Sequence, residues 1–171
     1  MFKWSEAAVF AGVVMVGLVG GGLILRQNHQ LQLLVAGPPK FVVEGVRLEP
    51  IGGYRWDSHE GTLAIALKAD CPYCEASMGL YRRIADLQRA QHLKVYPPIL
   101  YPDGANMGRP EIMNIERLAN IDYVKLGIRG TPTVLLVDSR GTVRRKWAGQ
   151  LALAQEENVL TAAQSYPVGQ R

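Results

Sequence analysis

The chain has two cysteines in 171 residues, and they stand as Cys71-Pro72-Tyr73-Cys74. Two cysteines placed at random in a chain of this length would take that spacing only about 1% of the time, so the spacing carries information. On the first turn of a helix it brings two sulfurs within disulfide reach. One of them then sits at the helix N-terminus, where unpaired N–H groups and the macrodipole favour a thiolate. A thiolate attacks a disulfide, and a second thiol nearby resolves the mixed disulfide. Pro72 suits the first helical position, because its missing N–H has no intrahelical partner there. The pattern predicts a dithiol/disulfide pair in which Cys71 attacks and Cys74 resolves, with no metal or organic cofactor. A structural disulfide and half of a zinc site are the alternatives. Zinc needs four ligands, there is no second cysteine pair, and His29, His59 and His92 show no ligand spacing. A disulfide closing so short a loop adds little stability to a domain with its own core.

Residues 62–67, Thr-Leu-Ala-Ile-Ala-Leu, precede the motif as a short apolar run, the pattern of a central strand buried on both faces. After it, Met78, Tyr81, Ile84, Ala85 and Leu87 recur at helical spacing, with Arg82, Arg83, Asp86 and Arg89 opposite, predicting an amphipathic helix over 72–90. Residues 92–96 read as a second strand stopped by Pro97-Pro98. Strand, cysteine pair, helix, strand is a parallel crossover unit, with the reactive pair at the C-terminal end of the first strand. Downstream, Gly130-Thr131-Pro132-Thr133 leads into the valine- and leucine-rich run 134–138, a turn at 139–141, and residues 142–147. Two strands across a tight turn predict an antiparallel hairpin, with Pro132 at the only kind of position a strand tolerates it.

Taken together, CxxC, a later Gly-Thr-Pro-Thr, a valine-rich strand, Asp138-x-x-Gly141 and the closing Trp147-Ala148-Gly149 resemble the thioredoxin fold over residues 41–164. The resemblance implies an α/β architecture, a central mixed β-sheet flanked by helices. It also implies a cis bond before Pro132 beside the sulfurs, and a substrate-binding role for Thr131 and Pro132. Residues 46–56 contain a Gly52-Gly53 turn between two strand-like pieces, an added N-terminal β-hairpin that resembles the membrane-tethered TlpA/ResA-type proteins. Those proteins exchange disulfides outside the cytoplasmic membrane. The resemblance therefore implies a protein disulfide oxidoreductase whose partners are thiol- or disulfide-containing proteins and a membrane or soluble redox partner.

The chain departs from that family where the chemistry is tuned. Asp70 replaces the usual tryptophan before the first cysteine, and Ile65 replaces a buried acid six residues before it. TlpA/ResA proteins follow the second cysteine with a basic residue, an acid and a proline; here those places hold Glu75, Ser77 and Gly79. The Pro72-Tyr73 pair is the one typical of glutaredoxins. Asp70 and Glu75 bring negative charge that raises the pKa of a nearby thiol, while the helix N-terminus and Lys68 lower it. A solvated cap at the helix start is the alternative role for Asp70.

Residues 7–25 are nineteen in number and carry no charge. As a helix they span about 28 Å, the thickness of a bilayer's hydrocarbon core. Phe2 and Trp4 flank one end, Arg26 to Gln30 the other. The apolar stretch exceeds the usual 7–15 residues of a signal peptide, and Leu34-Val35-Ala36 is a weak cleavage site. The reading is a short segment 1–6, a transmembrane helix over 7–25, a linker over 26–40 stiffened by Pro38-Pro39, the thioredoxin-like domain over 41–164, and a tail over 165–171. A CxxC domain with no other cysteine suits an oxidising compartment. That places a single-pass protein in the cytoplasmic (inner) membrane, its soluble domain facing the periplasm or cell exterior and the lipid bilayer held through the N-terminal helix.

Net charge is +4, and residues 144–146 form the only tight basic cluster, so nothing supports a nucleic-acid partner. That cluster reads as the exposed face of an edge strand. Residues 111–125 read as a helix with Ile112, Ile115, Leu118 and Ala119 on one face, residues 101–110 as a loop, and 151–163 as a closing helix. A competing reading of the same two thiolates is a tethered metal-delivery module for a soft ion such as copper.

Overall fold

The run read as a central strand over 62–67 forms a strand at Gly61–Ala66 (β1) that is buried at all six positions, and so is Thr133–Asp138 (β4), its antiparallel neighbour. A computed structural model describes residues 41–102, 112 and 114–167. The expected segment 1–6, spanning helix 7–25 and linker 26–40 lie outside these residues, as do 103–110 of the expected loop, 111 and 113 of the expected helix, and the last four residues of the tail. Among the described residues no helix is long and apolar enough to cross a membrane.

Around β1 and β4 the chain adds Ile99–Leu100 (β2), Arg117–Leu118 (β3) and Val143–Ala148 (β5), giving one sheet in the order β3-β2-β1-β4-β5. β1, β2 and β3 run parallel, while β1–β4 and β4–β5 pair antiparallel. The helices are Pro72–Ala76 (α1), Met78–Arg89 (α2) and Leu153–Gln164 (α3), with a 3-10 turn at Trp56–Ser58. The crossover from β1 to β2 and the β4–β5 hairpin match the expected parallel unit and hairpin.

Side chains alternate across β1, which divides the core in two. Leu63, Ile65 and Leu67 pack with α2 and α3 through Leu80, Tyr81, Ile84, Val159 and Leu160. On the other face Ala64 and Ala66 meet Leu135 and Val137, covered by Val42, Leu48, Trp56, Ile121 and Ile128 from irregular segments. The expected N-terminal hairpin segment makes a turn at Gly52-Gly53, closed by an isolated Ile51–Tyr54 bridge. The same stretch runs along the outer side of β5: Gly45 N–H donates to the Val143 carbonyl at 2.7 Å, Val143 N–H to Val46 at 2.9 Å, and Leu48 N–H to Gly141 at 2.8 Å. Half of an otherwise open sheet edge is thus occupied by the chain itself. Gly141 is required there, because its φ is 81° and a Cβ would stand 2.8 Å from the Leu48 carbonyl oxygen.

Three expectations are corrected. The strand expected at 92–96 lies beyond the prolines, at Ile99–Leu100. β1 donates to the carbonyls of Tyr96 and Pro98, but Pro98 has no N–H to return, so the regular ladder starts after it. The helix expected over 111–125 does not form among its described residues, 112 and 114–125: Ile99 N–H bonds the Glu116 carbonyl and Tyr101 N–H the Leu118 carbonyl, which draws this stretch onto the sheet as β3. Ile112 and Ile115 are nevertheless buried, as their spacing suggested. Finally, the helix expected over 72–90 breaks at Ser77, where φ is −92° and ψ 7°. Ser77 and Gly79 are both weak helix formers, and the break falls between the cysteine turn and the amphipathic stretch.

Candidate active site

Four residues separate the end of β1 from Cys71, and their path is tied to the sheet by a residue far away in sequence. The Tyr123 hydroxyl lies 2.7 Å from the Leu67 carbonyl oxygen and 2.6 Å from that of Leu100, so its one proton serves the ends of both β1 and β2. The chain then turns, and Cys71 caps α1 with extended backbone dihedrals, φ −118° and ψ 103°. Its carbonyl accepts from Cys74 and Glu75, and its own sulfur accepts the Cys74 N–H at 3.1 Å, the role an N-cap side chain usually fills. Pro72 occupies the first helical position, as expected.

Cys71 and Cys74 are disulfide-bonded, with Cα atoms 5.2 Å apart. Cys71 is 7% exposed and Cys74 1%, so the first sulfur is the more accessible of the two. Against them lies the loop before β4. The Thr131–Pro132 bond is cis, and the Thr131 carbonyl oxygen is 3.3 Å from the Cys71 sulfur. The loop is braced on both sides: Thr133 Oγ1 donates to Gly130 at 2.7 Å, and Gly149 N–H to the Pro132 carbonyl at 2.8 Å. The last bond shows why a Trp-x-Gly ending follows the hairpin, since Gly149 takes a φ of 78° to reach back.

The residues expected to tune the site surround it without filling it. Asp70, Pro72, Tyr73 and Glu75 are all exposed, Tyr73 by 59%. Asp70 is not the cap of α1, because Cys71 is. Beneath the pair Ile65 is fully buried, so no carboxylate lies in β1 at that level. Lys68 is exposed. Arg129, two residues before Thr131, stacks its guanidinium 3.7 Å over the Phe41 ring. Among the described residues no group of three His, Cys, Asp or Glu side chains is placed to hold a metal ion.

Two contributors escaped the sequence reading. Tyr123 sits in no recognisable motif, and its role needs the sheet to exist first. Ser77 was read only as a departure from a family pattern, yet it is 2% exposed with a hydroxyl that has no hydrogen-bond partner.

The architecture is the thioredoxin fold. It is similar to the pneumococcal exposed lipoprotein thioredoxin Etrx1 of Streptococcus pneumoniae strain TIGR4, at 16% identity and a TM-score of 0.51, covering 70% of this chain and 98% of that one. It is also similar to a thiol:disulfide interchange protein from Bacteroides sp., at 12% identity and a TM-score of 0.53, covering 76% of this chain and 96% of that one. No protein-family model and no curated protein matches the sequence. Cys71 and Cys74 form their disulfide at the thioredoxin active-site position, an arrangement that supports thiol–disulfide oxidoreductase activity without a cofactor.

Proposed function

We propose that the chain is a membrane-tethered protein disulfide oxidoreductase of the TlpA/ResA type, working outside the cytoplasmic membrane. One observation carries the chemistry: a disulfide at the start of α1, its more exposed sulfur facing the Thr131 carbonyl in the loop before β4. In this reading a substrate thiolate attacks Cys71, the Cys71–Cys74 bond breaks with its electron pair passing to Cys74, and a mixed disulfide forms. A second substrate thiolate, or Cys74 in return, then cleaves it. When Cys71 is the thiolate, the Cys74 N–H already aimed at its sulfur favours the charged form. Thr131 and Pro132 line the approach to Cys71 and guide the substrate segment.

The tether rests on the uncharged stretch 7–25 and on the fit of a lone cysteine pair to an oxidising compartment. The domain division 1–6, 7–25, 26–40, 41–164 and 165–171 belongs to the same proposal. Trapping tests the whole reading. Full-length Cys74→Ser is expected to accumulate covalent, dithiothreitol-releasable complexes with exported proteins, and Cys71→Ser to form none and lose turnover in an insulin-reduction assay. Full activity of Cys71→Ser with loss in Cys74→Ser would reverse the assigned roles, and copper binding lost in both with unchanged turnover would favour metal delivery.

A further inference from the structure

Among the described residues the exposed large apolar side chains are Phe41, Val43, Tyr73, Val124 and Leu153, with Val124 78% and Leu153 77% exposed. None belongs to the end of the sheet that carries the β4–β5 turn. Four of them stand on segments joined to the cysteine pair or to the loop against it. Tyr73 lies between the cysteines. Val124 follows Tyr123, which holds the Leu67 carbonyl, and its own carbonyl accepts the Gly127 N–H. Leu153 opens α3, four residues after Gly149, whose N–H reaches the Pro132 carbonyl. Phe41 lies under the Arg129 guanidinium, and its neighbour Val42 donates to Gly127 at 3.0 Å. Single apolar residues scattered over a surface are ordinary, whereas several gathered at one end mark a contact with a partner or a membrane.

Charge and chain entry distinguish between the two. Exposed on these same segments are Lys68, Lys125 and Arg129 against Asp70, Glu75 and Asp122, three of each sign. That balance gives no steering toward a charged partner. Val42 is 1% exposed and fixed at Gly127, four residues before Thr131, whose carbonyl is 3.3 Å from the Cys71 sulfur. Four residues span at most about 14 Å, so the chain enters the domain within roughly 20 Å of the disulfide. A tether attached there draws this end, rather than the β4–β5 turn, toward the bilayer. It also supplies an effective concentration in the millimolar range, at which an apolar contact too small to hold a free protein suffices. Tyr73 adds a phenol, an apolar body with a polar tip that suits the headgroup layer.

We propose that the active-site end of the domain rests on the surface of the bilayer, with Phe41, Tyr73, Val124 and Leu153 in the headgroup layer. This rests on the tether proposed above and deepens it. In the docked state Cys71 meets cysteines held at headgroup level by membrane-anchored proteins, so depth in the interface, not a charged motif, selects the substrate.

The test places the photo-crosslinker benzoylphenylalanine at Val124, at Leu153 or at Arg55 in the full-length protein, which is then bound to phosphatidylcholine vesicles and irradiated. Arg55 is the control, since it shares a surface with Ser139 and Arg140 of the β4–β5 turn. Lipid adducts at Val124 and Leu153 are expected roughly tenfold above those at Arg55. Added phosphatidylglycerol or high salt should leave them unchanged, because the charges of this face balance. A second variant reads function: Val124→Glu combined with Leu153→Glu is expected to slow exchange with a lipid-anchored cysteine peptide severalfold and to leave insulin reduction in detergent solution unchanged. Equal labelling at Arg55, or no lipid adduct at Val124 and Leu153, would overturn the proposal. Adducts between two protein molecules in place of lipid would overturn it in favour of a second copy of this chain. Slower insulin reduction by the glutamate variant, with no lipid adduct, would overturn it in favour of the substrate polypeptide. Wild-type protein that fails to float with the vesicles would defeat the tether, and this proposal with it, while leaving the exchange chemistry standing.

Discussion

The phenol of Tyr123 reaches the carbonyl of Leu67 at 2.7 Å, 56 residues back along the chain and four residues ahead of Cys71. It shares its proton with Leu100. Tyr123→Phe keeps the ring and removes that tie, so the expected loss is about 1 kcal/mol, the net worth of one such bond. For a domain of this size that amounts to a fall in Tm of about 3–6 °C. Calorimetry on the oxidised protein measures it, and an unchanged Tm would show that the Leu67 N–H to Leu100 bond holds the strand ends unaided.

Asp138, 6% exposed, organises the turn between β4 and β5. Burial pulls its pKa upward. The N–H groups of Thr142 and Arg140 and the Arg144 guanidinium together outweigh burial and hold the carboxyl below its ordinary 3.8. The folded state therefore binds this proton less readily than the unfolded chain, so the stabilisation is complete above pH 4 or so and is lost as pH falls through the folded value. Asp138→Asn is expected to cost about 1–3 kcal/mol at neutral pH, discounted toward the low end because Arg144 is half-exposed. Urea midpoints at pH 7 and pH 3 should converge between wild type and variant on acidification; parallel behaviour would remove Asp138 from the acid limb.

Asp70 stands directly before the attacking sulfur and is exposed. Asp70→Asn removes a like charge and is expected to lower the pKa of Cys71, by a few tenths of a unit given solvent screening. Thiolate absorbance titrated in a Cys74→Ser background reads the shift. No change, or a rise, would mean that the carboxylate contributes nothing to the site.

The tether makes a topological prediction. Protease added to intact spheroplasts should digest the domain from 41 onward and leave a membrane-embedded N-terminal fragment containing 7–25. A linker of fifteen residues then keeps the start of the domain within about 50 Å of the bilayer when fully extended, which raises the effective concentration of the active site toward membrane-bound or newly exported substrates. A soluble mature protein beginning near Gly37 would instead establish cleavage after Leu34-Val35-Ala36.

By itself the sequence determined whatever is encoded over a few neighbouring residues. The Cys71–Cys74 pair, the strand at 61–66, the Thr131-Pro132 loop and the hairpin that follows it were legible because spacing, apolar runs and turn chemistry act over one or two turns of chain. Tertiary structure alone decided where a backbone needed a distant partner. Arg117–Leu118 is a strand because β2 offers it hydrogen bonds, although its apolar spacing suits a helix. Ile99–Leu100, not 92–96, completes the crossover because Pro98 can accept from β1 but cannot donate. The Leu67 carbonyl finds Tyr123 only once the sheet has brought residues 56 apart together, and Ser77 becomes a buried, unpartnered hydroxyl only when helix and sheet close over it. Side-chain periodicity records which face is apolar, whereas pairing and burial depend on what the rest of the chain lays against it.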